Sequence, residues 1–140
     1  MDLAAAIASD EGGVVLLPPG DYGDLSVTGK GVPRDRPLVV RSQYPENPAR
    51  FSSMSLRKCE SVTFRDVEVV YVFYPDDVRH HRTIHIRDCT RITLERVQIV
   101  GDTAKGVSDI EDGLPWAYGA MIQECRDVRL IDVGVESFIK

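Results

Sequence analysis

Arginine forks, one imidazole and a handful of flat rings are the groups in this 140-residue chain with types and spacing suited to chemistry. Arg57-Lys58-Cys59 and Arg87-Asp88-Cys89 are parallel phrases set thirty residues apart. If they occupy neighbouring strands, Arg57 lies above Arg87, and two guanidiniums so close are better tolerated with an anion between them. Carboxylates suit that role, since each fork offers paired N–H donors to paired oxygens. His85 shares the outward side of the same strand and could supply a base. Tyr74, with Tyr71 and Phe73, and Trp116 with Tyr118 offer rings that fit the apolar face of a pyranose. Arg57, His85, Arg87, Tyr74, Trp116 and Tyr118 are therefore the candidate substrate-binding residues, and an acidic polysaccharide is the expected partner. The plainer reading turns the arginines to solvent or to Asp88 and Glu60, and folds the aromatics under their own loops as anchors. No catalytic residue is assigned.

Metal chemistry has weaker support. His80, His81 and His85 lie near Asp76 and Asp77, but adjacent histidines in a strand diverge to opposite faces. Asp109, Glu111 and Asp112 in DIEDG miss the spacing of a calcium loop. The expectation is no metal and no cofactor, with calcium as the alternative. Three cysteines without a C-x-x-C pair indicate neither a disulfide framework nor a zinc site. No G-x-S-x-G, P-loop or dinucleotide fingerprint is present.

These groups are positioned by a segment that the chain writes three times: 56–69, LRKCESVTFRDVEV; 86–99, IRDCTRITLERVQI; and 122–135, IQECRDVRLIDVGV. Each reads apolar-x-x-Cys-x-x-apolar-x-apolar-x-x-Val-x-apolar, and among the intervening positions only Ile131 is apolar. Alternation within each copy has the period of strands, and repetition at this scale marks a solenoid. The fold class expected is all-β, a right-handed single-stranded parallel β-helix in which like residues stack about 4.8 Å apart. Its inward ladders would be Leu56/Ile86/Ile122, Cys59/Cys89/Cys125, Val62/Ile92/Val128, Phe64/Leu94/Leu130, Val67/Val97/Val133 and Val69/Ile99/Val135. Thiols stacked in that manner point the same way and should stay unpaired. Outside, opposite charges would pair: Arg65 with Glu95, Arg96 with Asp66 and Asp132, Lys58 with Asp88, and Arg91 with Asp127.

The copies begin 30 and then 36 residues apart, more than the roughly 20–25 of a bare coil. The surplus falls at one place, in loops 71–82 and 101–119, so both should emerge on one face. Before the copies come a capping helix at 2–9 and irregular coils over 14–51. GVVLL is read there as a buried strand, Pro18-Pro19-Gly20 as a turn, Leu25–Val27 as a short strand and Pro37–Arg41 as a second buried strand. The whole, 1–140, reads as one domain. The third copy ends at Val135 with little chain after it. The expectation is a β-helix incomplete at that end, cut from a longer parent or capped by a second copy or another partner.

With 17 basic against 22 acidic residues and a net charge of −5, a general nucleic-acid binder is not expected. No stretch suits a membrane span, and MDLAAAIASDEGG lacks the basic start of a signal peptide. Localisation is accordingly read as cytoplasmic on synthesis, or virion or surface by another route.

The repeat, with the Ala-rich start, GGVVLLPPGDYGDLSV, PLVVRS and SVTFRDVEV in that order, resembles the pectate-lyase-like superfamily of right-handed parallel β-helices. It is similar to the N-terminal coils of polysaccharide lyases of the chondroitinase B and alginate lyase type, and to phage tail-spike β-helices. What the resemblance implies is action on or binding to an acidic glycan. The alternatives are a non-catalytic carbohydrate-binding or fibre module, and an N-terminal fragment lacking the catalytic coils. One fold hosts all of these.

Overall fold

The computed structural model describes residues 3–9, 12–30, 36–70, 81–101 and 117–136, with backbone alone at 81–82, 117–119 and 136. One short helix, α1 (Leu3–Ala8), precedes the strands β1 (Gly13–Leu17), β2 (Gly20–Asp21), β3 (Asp24–Thr28), β4 (Leu38–Ser42) and β5 (Ala49–Phe51). The three copies follow as β6 (Ser53–Arg57), β7 (Glu60–Arg65) and β8 (Val67–Val70); β9 (His81–Arg87), β10 (Thr90–Glu95) and β11 (Gln98–Val100); and β12 (Ala117–Gln123), β13 (Arg126–Ile131) and β14 (Gly134–Glu136). The protein is all-β apart from α1, and its strands form three sheets in which every pairing is parallel.

Sheet A runs β1-β4-β7-β10-β13, sheet B runs β2-β5-β8-β11-β14, and sheet C runs β3-β6-β9-β12. From β3 onward the chain visits C, A and B in turn, four times. The repeat accounts for the register. Val62, Ile92 and Val128 are Cα partners, as are Phe64, Leu94 and Leu130. Leu56, Ile86 and Ile122 align in sheet C, and Val69, Ile99 and Val135 in sheet B. A one-residue slip would turn each of these apolar sets outward, so burial fixes the register.

The core is these ladders together with Met54, Phe51, Val40, Leu25, Val27 and Ile7. Ile7 is buried, and α1 packs against β3, so the helix covers part of the core. Asp2, the first residue of the expected helix, lies outside the described residues. Ser42, fully buried on β4, accepts a 2.8 Å bond from the Ala49 amide, tying the turn between β4 and β5 to the strand it leaves.

Left-handed backbone recurs in every copy. Among the described residues nine non-glycine residues have φ between 51° and 56°: Lys58, Asp66, Asp88, Arg96, Glu124 and Asp132 at corners between strands, and Ser61, Arg91 and Asp127 at the second residue of β7, β10 and β13. These are the third, sixth and eleventh positions of every copy. A side chain costs about 1–2 kcal/mol in this conformation, yet the corners remain in the ladder. The Lys58 amide donates to the Arg87 carbonyl (3.2 Å), and that of Asp66 to Glu95 (3.1 Å). Glycine enters where backbones crowd: a Cβ on Gly29 would stand 2.4 Å from the Lys58 carbonyl oxygen.

Three expectations change, for β1, for two loop ends and for the outer charge pairs. β1 is not a buried strand. It is an edge strand that turns Val14 and Leu16 to solvent (61% and 43% exposed), because nothing among the described residues packs on its outward face. Residues 81–82 and 117–119, read as loop ends, belong to β9 and β12, since backbone pairing continues there (Ala117 with His81, Tyr118 with Arg82). The third copy's ladder residues are only partly covered, in line with the open last coil expected from the sequence. Ile122, Leu130 and Val135 are 37%, 51% and 53% exposed, because no strand among the described residues pairs with the far edges of β12, β13 and β14. Of the outer charge pairs, Arg65–Glu95 (2.9 Å) and Arg96–Asp66 (2.6 Å) form. Arg91 instead reaches back to Glu60, while Asp127 holds Arg129 at 3.2 Å.

All three cysteines are free, Cys59 and Cys89 buried and Cys125 half-buried. The Cys59 thiol, hydrogen-bonding to Cys89, pushes the Cys89 thiol far above its ordinary range, and burial adds to the shift.

Two outcomes follow. Lys58→Gly should be neutral or up to about 1 kcal/mol stabilising and Lys58→Val destabilising by about 1–2 kcal/mol, as read by urea unfolding. A raised folded-state thiol means that stability is full below the unfolded value near 8.5 and is lost as pH climbs above it. Unfolding free energy should therefore fall by about 1.4 kcal/mol per pH unit from Cys89 in that range, and the Cys89→Val profile should be correspondingly flatter.

Candidate functional site

The outward face of sheet C carries the polar columns that the spacing of the copies anticipates. Alternation sends Met54, Leu56, Ile84 and Ile86 inward, which leaves Ser53, Ser55 and Arg57 on the other side of β6 and Thr83, His85 and Arg87 on the other side of β9. Register then assembles two columns. Ser26, Ser55, His85 and Met121 form one, and Thr28, Arg57, Arg87 and Gln123 the other. Arg57 and Arg87 are Cα partners on adjacent strands, so their backbones are about 4.8 Å apart.

Several guanidiniums elsewhere are close to carboxylates: Arg50 with Glu68 at 3.3 Å, Arg65 with Glu95, and Arg96 with Asp66. Arg41 and Arg65 are also in register on adjacent strands, but there Glu95 neutralises Arg65. Arg87 is held loosely, at 3.8 Å from Asp88 and 3.9 Å from Glu124, and its buried Nε has no hydrogen-bond partner. Arg57 forms no ion pair with the described residues, and Glu60, its other expected acceptor, is engaged by Arg91. The reading that sends these arginines to neighbouring acids is thus met in part for Arg87, with Glu124 added, and not for Arg57.

His85 is fixed across the strands. Its Nε2 lies 2.8 Å from Gln123 Oε1, and because an amide oxygen only accepts, Nε2 is the donor, which in the neutral ring leaves the lone pair on Nδ1. Sequence reasoning missed Gln123, although its alignment with Arg57 and Arg87 in the third copy was available to place it. At the other end of the face, Ser53 donates to Asp24 (2.7 Å). Thr83, on the same side of β9 by alternation, does not line an open surface. It is fully buried with its hydroxyl unpartnered, so the face is closed at Thr83 and open toward Arg57, Arg87 and Gln123.

The aromatic half of the expected site is beyond reach: Tyr74 and Trp116 lie outside the described residues, and Tyr118 is placed by its backbone in β12 alone. Asp76, Asp77, His80, Asp109, Glu111 and Asp112 are also outside them. Among the described residues no three His, Cys, Asp or Glu side chains gather as a metal cage, and no helix is long and apolar enough to cross a membrane. A shallow cleft elsewhere, lined by Pro19, Gly20, Asp21, Asn47, Pro48 and Arg50, has its cation already shared between Asp21 and Glu68.

Taken chemically, the open end of sheet C offers two guanidiniums with spare donors, serine hydroxyls and an imidazole with a free lone pair. That set can hold an anion of carboxylate size and hydrogen-bond hydroxyls beside it. Compared with family models, curated proteins and solved structures, the chain finds no match in any of the three.

If the like-charged column is retained for a ligand at a cost to the free protein, relieving it should stabilise the fold. Arg57→Glu is expected to raise the melting temperature by about 1–3 °C in low salt, from a cross-strand gain of about 0.2–1 kcal/mol. The gain should shrink at 0.5 M salt, where screening removes it.

Proposed function

We propose that the three sheets are the walls of a right-handed parallel β-helix of the pectate-lyase-like kind, and that the open face of sheet C binds an acidic polysaccharide. The C, A, B order of strands and the like-over-like register support the fold reading. One observation carries the functional reading. Arg57 and Arg87 stand in register on adjacent strands, and neither has a carboxylate as close as those that neutralise Arg65 and Arg96. A uronate carboxylate set between them replaces repulsion with two charge-assisted forks, and Ser55, His85 and Gln123 lie where sugar hydroxyls would fall. Binding is the primary role, as in a carbohydrate-binding or fibre module.

A lyase reading rests on His85. With Nε2 committed to Gln123, Nδ1 can accept a proton. The arginines would neutralise the carboxylate and so acidify the adjacent C5 proton. His85 would take that proton, the electron pair of the C5–H bond would form the C4–C5 double bond, and the glycosidic oxygen at C4 would leave with a proton taken from solvent water.

Titration calorimetry with alginate, pectate and chondroitin oligosaccharides tests both roles. Saturable binding to at least one is expected, weakened about 10-fold or more in Arg57→Ala and Arg87→Ala. Absorbance from an unsaturated product, lost in His85→Ala, would make the protein a lyase, and binding without it a module. Wild-type affinity retained in both arginine variants, or no binding to any acidic glycan, would overturn the proposal.

A further inference from the structure

We propose that the cysteine ladder is a two-coordinate site for a soft monovalent ion of the copper(I) and silver(I) class, held between Cys89 and Cys125. The two thiols repeat one geometry. Cys89 Sγ lies 3.2 Å from the Arg87 carbonyl oxygen and 3.6 Å from that of Leu56. Cys125 Sγ lies 3.0 Å from the Gln123 oxygen and 3.5 Å from that of Ile86. Gln123 is the register partner of Arg87, and Ile86 of Leu56, so the sulfur is carried over by one strand spacing, about 4.8 Å. A disulfide needs facing Cβ atoms and sulfurs about 2.05 Å apart, so oxidation is not the use of this pair. Two metal–thiolate bonds in a line, at about 2.3 Å each, span about 4.6 Å and fit it. Soft thiolates select ions of this class, and two donors in line suffice for them.

One amide donor faces each sulfur, while the Cys59 hydrogen bond and burial hold the Cys89 thiol, and burial the Cys125 thiol, toward the protonated form that the ion must displace. The Cys59 amide donates to Cys89 Sγ at 3.4 Å, and the Cys89 amide to the Cys125 sulfur in the next copy. Access distinguishes the upper pair from the lower. Cys59 and Cys89 are 3% and 1% exposed, whereas Cys125 is half-buried at the strand edge, where an ion can enter. Binding breaks two S–H bonds, forms two sulfur–metal bonds and releases two protons to solvent. No electron moves, and the site keeps a net charge of −1 facing the two amides.

The full chain, reduced and kept anaerobic, is titrated with silver(I) while thiolate-to-metal absorbance, proton release and melting temperature are recorded. Expected are one tightly held silver per chain, two protons per ion and a higher melting temperature. That step should be lost in Cys89→Val and Cys125→Ser but kept in Cys59→Val. Should Cys89→Val not fold, Cys125→Ser at the half-exposed position decides. Uptake of two or three ions with one proton each would mean independent thiols and overturn the site. Retention of the step in Cys125→Ser, or no saturable uptake, would do the same.

Discussion

Parallel pairing in strict register is the constraint on which the rest of this molecule depends. Each backbone hydrogen bond between copies requires residue n to lie beside its counterpart, so a side chain chosen once is chosen for a column. For apolar residues this is favourable: Val62, Ile92 and Val128 align, and the first two are fully buried, each worth about 1.5–3 kcal/mol relative to exposure. For the corners it is costly, since the left-handed conformation recurs in every copy. The strain is tolerated because the corner amides still find carbonyls in the neighbouring copy, and an unmade buried bond would cost as much again.

The same constraint separates the surfaces from one another. On sheet A the outer column sets Arg65 between Arg41 and Glu95, with the ion pair made to Glu95, and Asp66 meets Arg96 at the adjoining corner. Such exposed pairs add little energy individually, but a slipped strand would remove them. On sheet C the stack of Arg57 on Arg87 has no carboxylate in its column, and the proposed anionic ligand would supply one. The thiol column follows the rule in a third way, since stacking that forbids a disulfide also spaces the sulfurs for a linear ion.

Much of this was legible in the chain. Six apolar columns were written out by the three copies, and their register follows from the alignment of Cys59, Cys89 and Cys125. The Arg57–Arg87 stack came from the same alignment. What was hidden depends on neighbours outside the repeat. GVVLL looks like a buried strand, yet β1 has a solvated face, and composition alone does not tell an edge from a centre. The left-handed positions were hidden because Lys58, Ser61, Arg91 and Glu124 are not the asparagines and glycines that usually announce φ > 0. Arg91 was assigned to Asp127 by column, but a guanidinium on a long stem reaches either neighbour, and Glu60 offered the nearer carboxylate. Thr83 looked exposed by parity. Burial there is decided by what lies over the face, which periodicity does not encode.

One more feature follows from comparing the connections. Between sheets C and A every copy spends two residues, 58–59, 88–89 and 124–125, and between A and B one or two. Between B and C the chain spends one residue before β6, ten before β9 and sixteen before β12. Within the copies two corners are thus held to one or two residues while the third accepts whatever is placed there, always beside the same sheet. Variation in a lineage of such chains can accumulate at that seam without disturbing the frame. Specificity can then be rewritten in the manner of an antibody's variable loops, by changing the length and content of one connection while the scaffold keeps its tempo.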